Sequence, residues 1–423
     1  MSMEQVSSTS TYSPRIPVEI YETIIDILAL ADIPSLKNCH LASRLFVPRC
    51  RSHIFRSIHL SSRDTPHRHS GEDLYTLLSA SPDIAFHIRE LKINVFYHTD
   101  FLSRGLLEAS KMLDRLEVLW VGSNLRPKHR HDTDEALLHW DALYLIQPTI
   151  YRLLQVPTLR ELHVMMSIQG FPVSWLRNSC IKSLTLDWSG LEDDELDTMT
   201  PCSSSLLECV TINHRFHAGS YSLLTLVHPK GSDGQLQPVI DASRLKVISI
   251  PVYPPLMFNA ALPLFQGGNL TSVILRKIDS PSDMPSLRDY LAPSLHSLRR
   301  LRLEVSIDDV MPDSGTTMVQ ILSYELATLC GENHIETLEL DVKIKTDRTF
   351  DIPTEWEDID GVLAGSGWPM LRRVVVSICP NRIRLEEDCE FYLALQSLPT
   401  SHLMRLMTSS RTIFDFSFEL HVL

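Results

Sequence analysis

The stretch Leu116-Glu-Val-Leu119-Trp-Val121-Gly-Ser-Asn124 decides the fold. Its apolar residues occupy the first, fourth and sixth positions, and an asparagine occupies the ninth. Such a triple predicts a short strand whose fourth and sixth side chains face the same side. One triple is weak evidence, because any buried strand can produce it, so the pattern gains weight only if it recurs.

The same spacing of three and then two recurs along the chain, often with Ile or Val in place of Leu. Nine further copies are Ile88/Leu91/Ile93, Leu159/Leu162/Val164, Ile181/Leu184/Leu186, Leu207/Val210/Ile212, Leu245/Ile248/Ile250, Leu270/Val273/Leu275, Leu298/Leu301/Leu303, Ile335/Leu338/Leu340 and Leu371/Val374/Val376. Phe55/Ile58/Leu60 is a candidate eleventh copy. From residue 88 to residue 371 the first positions follow at intervals of 28, 43, 22, 26, 38, 25, 28, 37 and 36 residues. Five of these nine intervals lie within the range typical of leucine-rich repeats, and the others indicate insertions.

Composition agrees with a repeat fold. The chain has 423 residues, 44% hydrophobic and 22% charged, and 63 of them are leucine. We predict an α/β fold in which an irregular leucine-rich-repeat solenoid of strand–helix repeats forms a concave parallel sheet. The alternative is an ordinary α/β domain with parallel strands, but the sequence lacks the glycine-rich strand–helix turns typical of many such domains.

Helix-like stretches separate the predicted strands. Asp134–Ile146 is one, and in a second, Thr317–Leu329, apolar residues recur on one helical face. Alternating residues in Phe414–Leu420 predict a closing edge strand that caps the last repeat. Candidate rim loops, rich in Pro, Gly, Asp and charge, are 125–133, 228–238, 308–316 and 345–361.

The N-terminal part of the chain reads differently from the repeats. Residues 1–13 are polar and predict a disordered tail, residues 14–58 predict a three-helix module, and residues 59–423 contain the repeats. An apolar stripe marks the first helix, and it consists of Ile20, Ile24, Ile27 and Leu28. A unit of about 45 residues is too small to be very stable alone, so we expect it to pack against the first repeats or against a partner.

This module resembles an F-box, as found at the N-terminus of many fungal F-box proteins with leucine-rich repeats. The resemblance rests on Ile16-Pro17-Val18-Glu19-Ile20, Ile24-Ile25, Leu28, Cys39-His-Leu41-Ala-Ser43-Arg44-Leu45-Phe46, Pro48-Arg49 and Ile54-Phe55-Arg56-Ser57-Ile58. Departures from the family pattern are Ile16 for Leu, Ser43 for the second Cys, and Phe46 for Trp, which loses the indole donor.

The resemblance implies that the module docks on a Skp-type adaptor inside a cullin–RING ubiquitin ligase, while the repeats hold a protein substrate. The candidates for docking, or for shaping the docking face, are Pro17, Val18, Ile20, Ile24, Leu36, Cys39 and Phe46. We expect Pro17 and Ile20 to contact the adaptor. We expect Ile24 and Cys39 to pack in the core of the module.

Residues flanking the sixth position of each triple are expected to point out of the concave sheet. They are Trp120, His163, Met165, Thr185, Asp187, Thr211, Asn213, Arg276, Arg302, Glu304, Glu339 and Asp341. Trp and Arg often anchor protein interfaces. The candidate substrate contacts are therefore Trp120, His163, Asp187, Arg276, Arg302 and Glu304. The alternative is that these are merely solvated sheet positions.

The sequence does not indicate an enzyme, because it lacks the nucleophile-elbow, P-loop and H-E-x-x-H patterns. His67-x-His69 and His129-x-His131 lie in polar segments, and we predict no metal site and no cofactor. The acidic clusters at 192–195, 355–360 and 386–388 are predicted to be solvated charges. Arg126–His131 is only a short basic run in an acidic chain.

Charge and cysteine usage limit the partners and the compartment. Lys and Arg total 39 against 52 Asp and Glu, a net charge of −13, which argues against general binding to nucleic acid or anionic membranes. The sequence has no long apolar run and no signal-peptide pattern. Eight scattered cysteines without a C-x-x-C pair suit a reducing compartment, cytoplasmic and/or nuclear.

Two hypotheses remain. The first is a substrate-recognition adaptor of a Skp–cullin–F-box type ubiquitin ligase. The second is a non-catalytic intracellular leucine-rich-repeat scaffold whose F-box-like unit is only an N-terminal cap.

Overall fold

A computed structural model shows an α/β chain with three helices at its N-terminal end and one large parallel sheet after them. The residues that the structure describes are 17–61, 70–95, 105–122, 138–165, 168–177, 179–187, 191–192, 205–213, 240–252, 261–279, 286–308, 317–346, 354–382 and 389–418.

The sheet has twelve strands, all parallel, and each strand pairs with the next along the chain. They are β1 (Ser57–Ser61), β2 (Glu90–Asn94), β3 (Val118–Gly122), β4 (Glu161–Met165), β5 (Ser183–Asp187), β6 (Cys209–Ile212), β7 (Val247–Pro251), β8 (Ser272–Ile278), β9 (Arg300–Asp308), β10 (Thr337–Thr346), β11 (Arg373–Arg382) and β12 (Ile413–Phe418). A parallel sheet in unbroken chain order is compatible with a solenoid in which each repeat adds one strand.

The register aligns equivalent positions of successive triples. Leu119 lies opposite Leu91 on one side and Leu162 on the other, and the alignment continues to Val374 opposite Phe414. All thirty residues of the ten triples are at most 2% exposed. The triples therefore mark strands of the sheet, as the sequence predicts, and their side chains form its core.

Backbone hydrogen bonds fix this register at the amino-terminal edge of the sheet. The carbonyl oxygen of Arg89 accepts hydrogen bonds from the N–H groups of Glu117 and Val118, at 2.8 and 2.9 Å. Each junction from β1 to β11 repeats this pair of bonds at the second position of a repeat. The accepting carbonyls belong to Arg56, Arg89, Glu117, Arg160, Lys182, Glu208, Lys246, Thr271, Arg299 and Glu336.

Connections between the strands differ in length and content. The α-helices among the described residues of these connections include α4 (Gly71–Ala80), α5 (Leu106–Ser110), α6 (Gln147–Leu154), α7 (Leu287–Leu291), α8 (Met318–Thr328), α9 (Trp356–Ala364), α10 (Cys389–Ser401) and α11 (Met404–Thr408). The 3-10 helices are Pro82–His87, Trp140–Leu143, Val173–Leu176, Ala242–Arg244 and Ala292–Ser294. This variation accounts for the unequal repeat intervals.

Helix α8 confirms the helix predicted for Thr317–Leu329. The Thr317 side chain caps its start by accepting a hydrogen bond from the N–H of Gln320 at 3.1 Å. The predicted apolar face is buried, because its residues are at most 2% exposed: Val319, Leu322, Leu326 and Leu329.

The helix predicted for Asp134–Ile146 is wrong over its described part. Leu138–His139 instead pairs as a two-residue strand, Trp140–Leu143 is a 3-10 helix, and α6 begins only at Gln147. The buried Trp140 ring packs edge-on against Phe171, with ring centroids 4.9 Å apart. This long-range packing favours the tight turn over a continuous helix.

The predicted rim loops have mixed outcomes. Residues 125–133 and 228–238 lie outside the described residues, and so does the loop predicted for 308–316 apart from Asp308, which is the last residue of β9. The loop predicted for 345–361 is partly wrong, because β10 extends to Thr346 and α9 begins at Trp356. Trp356 is only 1% exposed, so burial of this large ring anchors the helix. Strand β12 confirms the predicted closing strand over its described residues.

We predict that Leu338→Ala lowers the free energy of unfolding by about 2–5 kcal/mol, because it opens a cavity at a completely buried position of the sheet's core. Arg302→Ala is the control on the adjacent strand, since its ion pair with Asp341 is partly exposed, and the change should be within about 1 kcal/mol. Urea unfolding measures both. Equally small changes in the free energy of unfolding for the two variants would contradict the core position of Leu338.

Candidate functional site

The N-terminal module consists of α1 (Val18–Ala31), α2 (Ile33–Ala42) and α3 (Val47–Ile54). Proline lies next to each helix start, at the N-cap of α1 and within the first turns of α2 and α3, where it needs no helical N–H. The buried core of the module is small, and it comprises Ile25, Leu36 and Cys50. Such a core gives the module little stability of its own.

An ion-pair cluster joins α1 to α3. Arg49 donates hydrogen bonds to both carboxylate oxygens of Asp26, at 2.7 and 2.6 Å, and His53 Nε2 lies 2.7 Å from Asp26 Oδ1. These hydrogen bonds, from Arg49 first and His53 second, lower the pKa of Asp26 to about 2. The carboxylate therefore stays ionised at neutral pH and holds the two helices together.

The module also contacts the first repeat. Helix α3 lies against the 3-10 helix Pro82–His87, and Arg51 forms an ion pair with Asp83 at 2.6 Å. Phe55 and Ile58, which follow α3, are half-buried against the core of the sheet. The three helices are thus attached at one end of the sheet.

Large apolar side chains are exposed on this module. Eight of them are between 42% and 92% exposed, and they are Val18, Ile20, Ile24, Ile27, Leu30, Ile33, Leu41 and Leu45. Five belong to α1 and two to α2, so α1 exposes five large apolar side chains, whereas Ile25 is its one buried residue. A concentration of exposed apolar residues is typical of a protein-binding surface.

The proposed docking residues divide into exposed and buried ones. Pro17, Val18 and Ile20 are exposed at the start of α1. Leu36 is completely buried, so it holds the helices together and can only shape a docking face. Cys39 is half-buried against the module core.

Phe46 is also half-buried, and its ring centroid lies 5.4 Å from that of Tyr21. The expectation that Ile24 packs in the core is wrong, because Ile24 is 54% exposed and its neighbour Ile25 is the buried residue. Sequence reasoning also missed Leu30 and Leu41 as exposed apolar residues. The available signal was that α1 carries more apolar positions than one buried stripe requires.

The second candidate surface is the face of the sheet that bears the residues flanking the sixth positions, called here the open face. On its N-terminal strands, the rings of Trp120 and His163 stack with centroids 3.7 Å apart and planes within 6°. Lys92 Nζ lies 5.1 Å from the centre of the Trp120 ring. Burial lowers the pKa of His163 and so favours a neutral ring. This effect outweighs that of the nearby Glu161 carboxylate, which raises the pKa.

The C-terminal strands of the open face carry paired charges. Glu304 lies 3.6 Å from both Arg276 and Arg302. Arg302 also donates to Asp341 at 2.5 Å, and Arg276 donates to Asn213 at 2.6 Å. These arginines are therefore held in fixed orientations with much of their charge compensated.

The centre of the open face is less accessible. Asp187 is only 7% exposed and Ser249 on β7 only 1%. The candidate substrate contacts thus form two separate groups, the Trp120–His163 stack and the arginine network around Glu304.

Candidate metal sites can be checked only where the structure describes the residues, and the histidine motifs lie elsewhere. Within the residues that the structure describes, no three His, Cys, Asp or Glu side chains are grouped to hold a metal ion. The motifs His67-x-His69 and His129-x-His131 and the basic run Arg126–His131 lie outside those residues, as do 193–195 and 386–388. The prediction of no metal and no cofactor therefore remains a prediction.

One acidic cluster differs from its prediction. In 355–360, Asp360 is 4% exposed, and its carboxylate accepts hydrogen bonds from the N–H groups of Arg405 and Leu406, both at 2.9 Å. The sequence predicts a solvated charge here, but the carboxylate accepts hydrogen bonds from N–H groups at the start of α11 and joins that helix to α9. Among the described helices, none has the length and apolar character needed to cross a membrane.

We predict that Asp26→Asn loosens α1 from α3 and destabilises the chain by up to about 1 kcal/mol, since the ion pair is more than one-third exposed. Because the pKa of Asp26 is lowered, its contribution is complete above about pH 5 and is lost as the pH falls towards about 2. Urea unfolding at several pH values should show the gap between wild type and Asp26→Asn closing in acid. A difference in the free energy of unfolding that does not change with pH would contradict the assignment of an ionised Asp26 to this cluster.

Comparisons with known proteins leave the family open. The chain matches no family model, and no curated protein matches it. Any assignment of a function to this chain therefore rests on the geometry of its two candidate surfaces.

Proposed function

We propose that this chain is the substrate-recognition subunit of a Skp–cullin–F-box type ubiquitin ligase. The observation that carries the proposal is the set of eight exposed apolar side chains on the N-terminal module. Full burial of an exposed Val, Leu or Ile side chain contributes about 1.5–3 kcal/mol, and each of these side chains can gain the share that corresponds to its remaining exposure of 42% to 92%. The docking of α1 and α2 on an adaptor would therefore stabilise a complex substantially, and it would cover a surface that is otherwise prone to aggregation.

The adaptor in this proposal is a Skp-type protein, and through it the chain reaches a cullin. The F-box resemblance of residues 14–58 supports this choice, as does the exposed position of Pro17, Val18, Ile20 and Ile24. The parallel sheet in chain order supports a leucine-rich-repeat solenoid for the region from 59 to 423.

The protein substrate in this proposal binds the open face. The Trp120–His163 stack offers a flat aromatic surface, and Arg276, Arg302 and Glu304 offer preorganised charges. Aromatic and Arg side chains of this kind anchor protein interfaces. The chain would act without chemistry of its own, by raising the effective concentration of substrate near the charged ubiquitin carrier. It would act in the cytoplasm and/or nucleus.

The alternative is a repeat scaffold whose N-terminal helices only cap the sheet. The contact of α3 with Pro82–His87 and the Arg51–Asp83 ion pair favour a cap. A cap, however, does not require apolar residues on the side of α1 that faces away from its own core.

Binding of the full chain to a purified Skp-type adaptor distinguishes these functions. Ile20→Ala/Ile24→Ala should weaken binding at least about tenfold, because two apolar contacts are lost. The matched control is Leu393→Ala/Met404→Ala, since these residues are 57% and 56% exposed near the opposite end of the sheet. In titration calorimetry, the control variant should bind the adaptor with the affinity of the wild-type chain.

Thermal unfolding of each variant confirms that it remains folded. If the folded wild-type chain does not bind the adaptor at micromolar concentrations, the ligase proposal is wrong and the cap is favoured. Equal weakening by both double variants would contradict the assignment of the docking face.

A further inference from the structure

A row of charged side chains follows the amino-terminal edge of the sheet. It consists of the second residue of each repeat, and we call it the edge row: Arg56, Arg89, Glu117, Arg160, Lys182, Glu208, Lys246, Thr271, Arg299, Glu336 and Arg372. Seven of these residues are basic and three are acidic, a surplus of four positive charges in a chain whose net charge is −13. The surplus makes this edge electrostatically different from the rest of the molecule.

Each glutamate of the edge row has a basic residue at the same position of both neighbouring repeats. Glu208 accepts hydrogen bonds from Lys182 and Lys246, at 2.8 and 2.6 Å. These two hydrogen bonds lower the pKa of Glu208 to about 2, so it is ionised at neutral pH. Each group of two cations and one glutamate therefore keeps one positive charge that the glutamate does not balance.

The same arrangement recurs further along the edge. Glu336 lies 3.4 Å from Arg299 and 3.6 Å from Arg372, while Glu117 lies 3.2 Å from Arg89. Neighbouring strands are about 4.8 Å apart, so eleven positions extend over roughly 50 Å. This length suits an extended chain segment better than a small anion.

A surface cleft marks one part of the edge row. Its volume is about 540 Å³, and the charged residues of its lining are Lys182, Glu208, Arg244 and Lys246. Arg244 pairs with Asp241 at 3.6 Å, so that acidic neighbour is already balanced. Lys182 and Lys246 are about half exposed, and both can reach a ligand in the cleft.

We propose that the edge row binds an acidic segment of a protein partner, with anionic side chains seated in the Lys182–Lys246 cleft. The anions are carboxylates or phosphates, which share the chemistry that ammonium and guanidinium groups recognise. A protein segment fits better than a nucleic acid, because its charges can be spaced to avoid the three glutamates, whereas a uniform phosphate backbone meets each of them. No residue lining the Lys182–Lys246 cleft belongs to α1, α2 or α3, and the proposal does not depend on the proposed ligase function.

Fluorescence anisotropy with the full chain tests the proposal. The probes are a Glu-rich peptide, the same backbone with phosphoserine in place of Glu, and a single-stranded DNA of equal charge. At least one of the two acidic peptides should bind, and the peptide that binds more tightly identifies the preferred anion. The affinity of that peptide should fall as salt is added. Lys182→Ala/Lys246→Ala should weaken binding about tenfold, at about threefold for each lost cation.

Glu208→Gln supplies a test of opposite sign. It removes the negative charge between the two lysines, so peptide affinity should rise about threefold. Arg405→Ala on α11 is the matched control, because Arg405 is an exposed basic residue outside the edge row and outside both candidate surfaces, and it should leave peptide affinity unchanged. The proposal is overturned if neither peptide binds, if the DNA alone binds, or if the lysine variant and Glu208→Gln both keep wild-type affinity while remaining folded in a thermal melt.

Discussion

Burial of equivalent side chains against one another, strand after strand, is the constraint on which the structure depends. A parallel strand shifted by one residue would turn its apolar residues to the opposite face. The triples prevent this shift, because the fourth and sixth residues of one strand lie opposite those of the next. The paired backbone hydrogen bonds at the second position reinforce the same register at ten successive junctions.

This register also determines where the candidate surfaces lie. It stacks Trp120 on His163 and places Arg302 beside Asp341, although these pairs are 43 and 39 residues apart in the chain. It brings Lys182, Glu208 and Lys246 to one edge in the same way. The helical module stands at the first strand, and its exposed apolar residues belong to none of the repeats that carry the open face and the edge row. Three surfaces with different chemistry therefore share one regular sheet.

The strands could be predicted from the sequence because their pattern is local, with three apolar positions within six residues. The helix at 317–329 was predictable for the same reason, since one face is apolar throughout. Features that depend on distant partners were not predictable. Trp140 turns the chain by packing on Phe171, and Asp360 is buried because it caps a helix that begins 44 residues later. Ile24 and Ile25 are both apolar, and only the packing of α1 on its neighbours decides which one is buried.

Hydrogen–deuterium exchange of the full chain, with and without a purified Skp-type adaptor, measures most directly whether the exposed face of α1 and α2 is a docking site. Docking should protect amides between residues 18 and 42, while amides in the central strands of the sheet remain unchanged. Protection confined to the sheet, or no change anywhere at an adaptor concentration in the micromolar range, would contradict the proposed docking of this module.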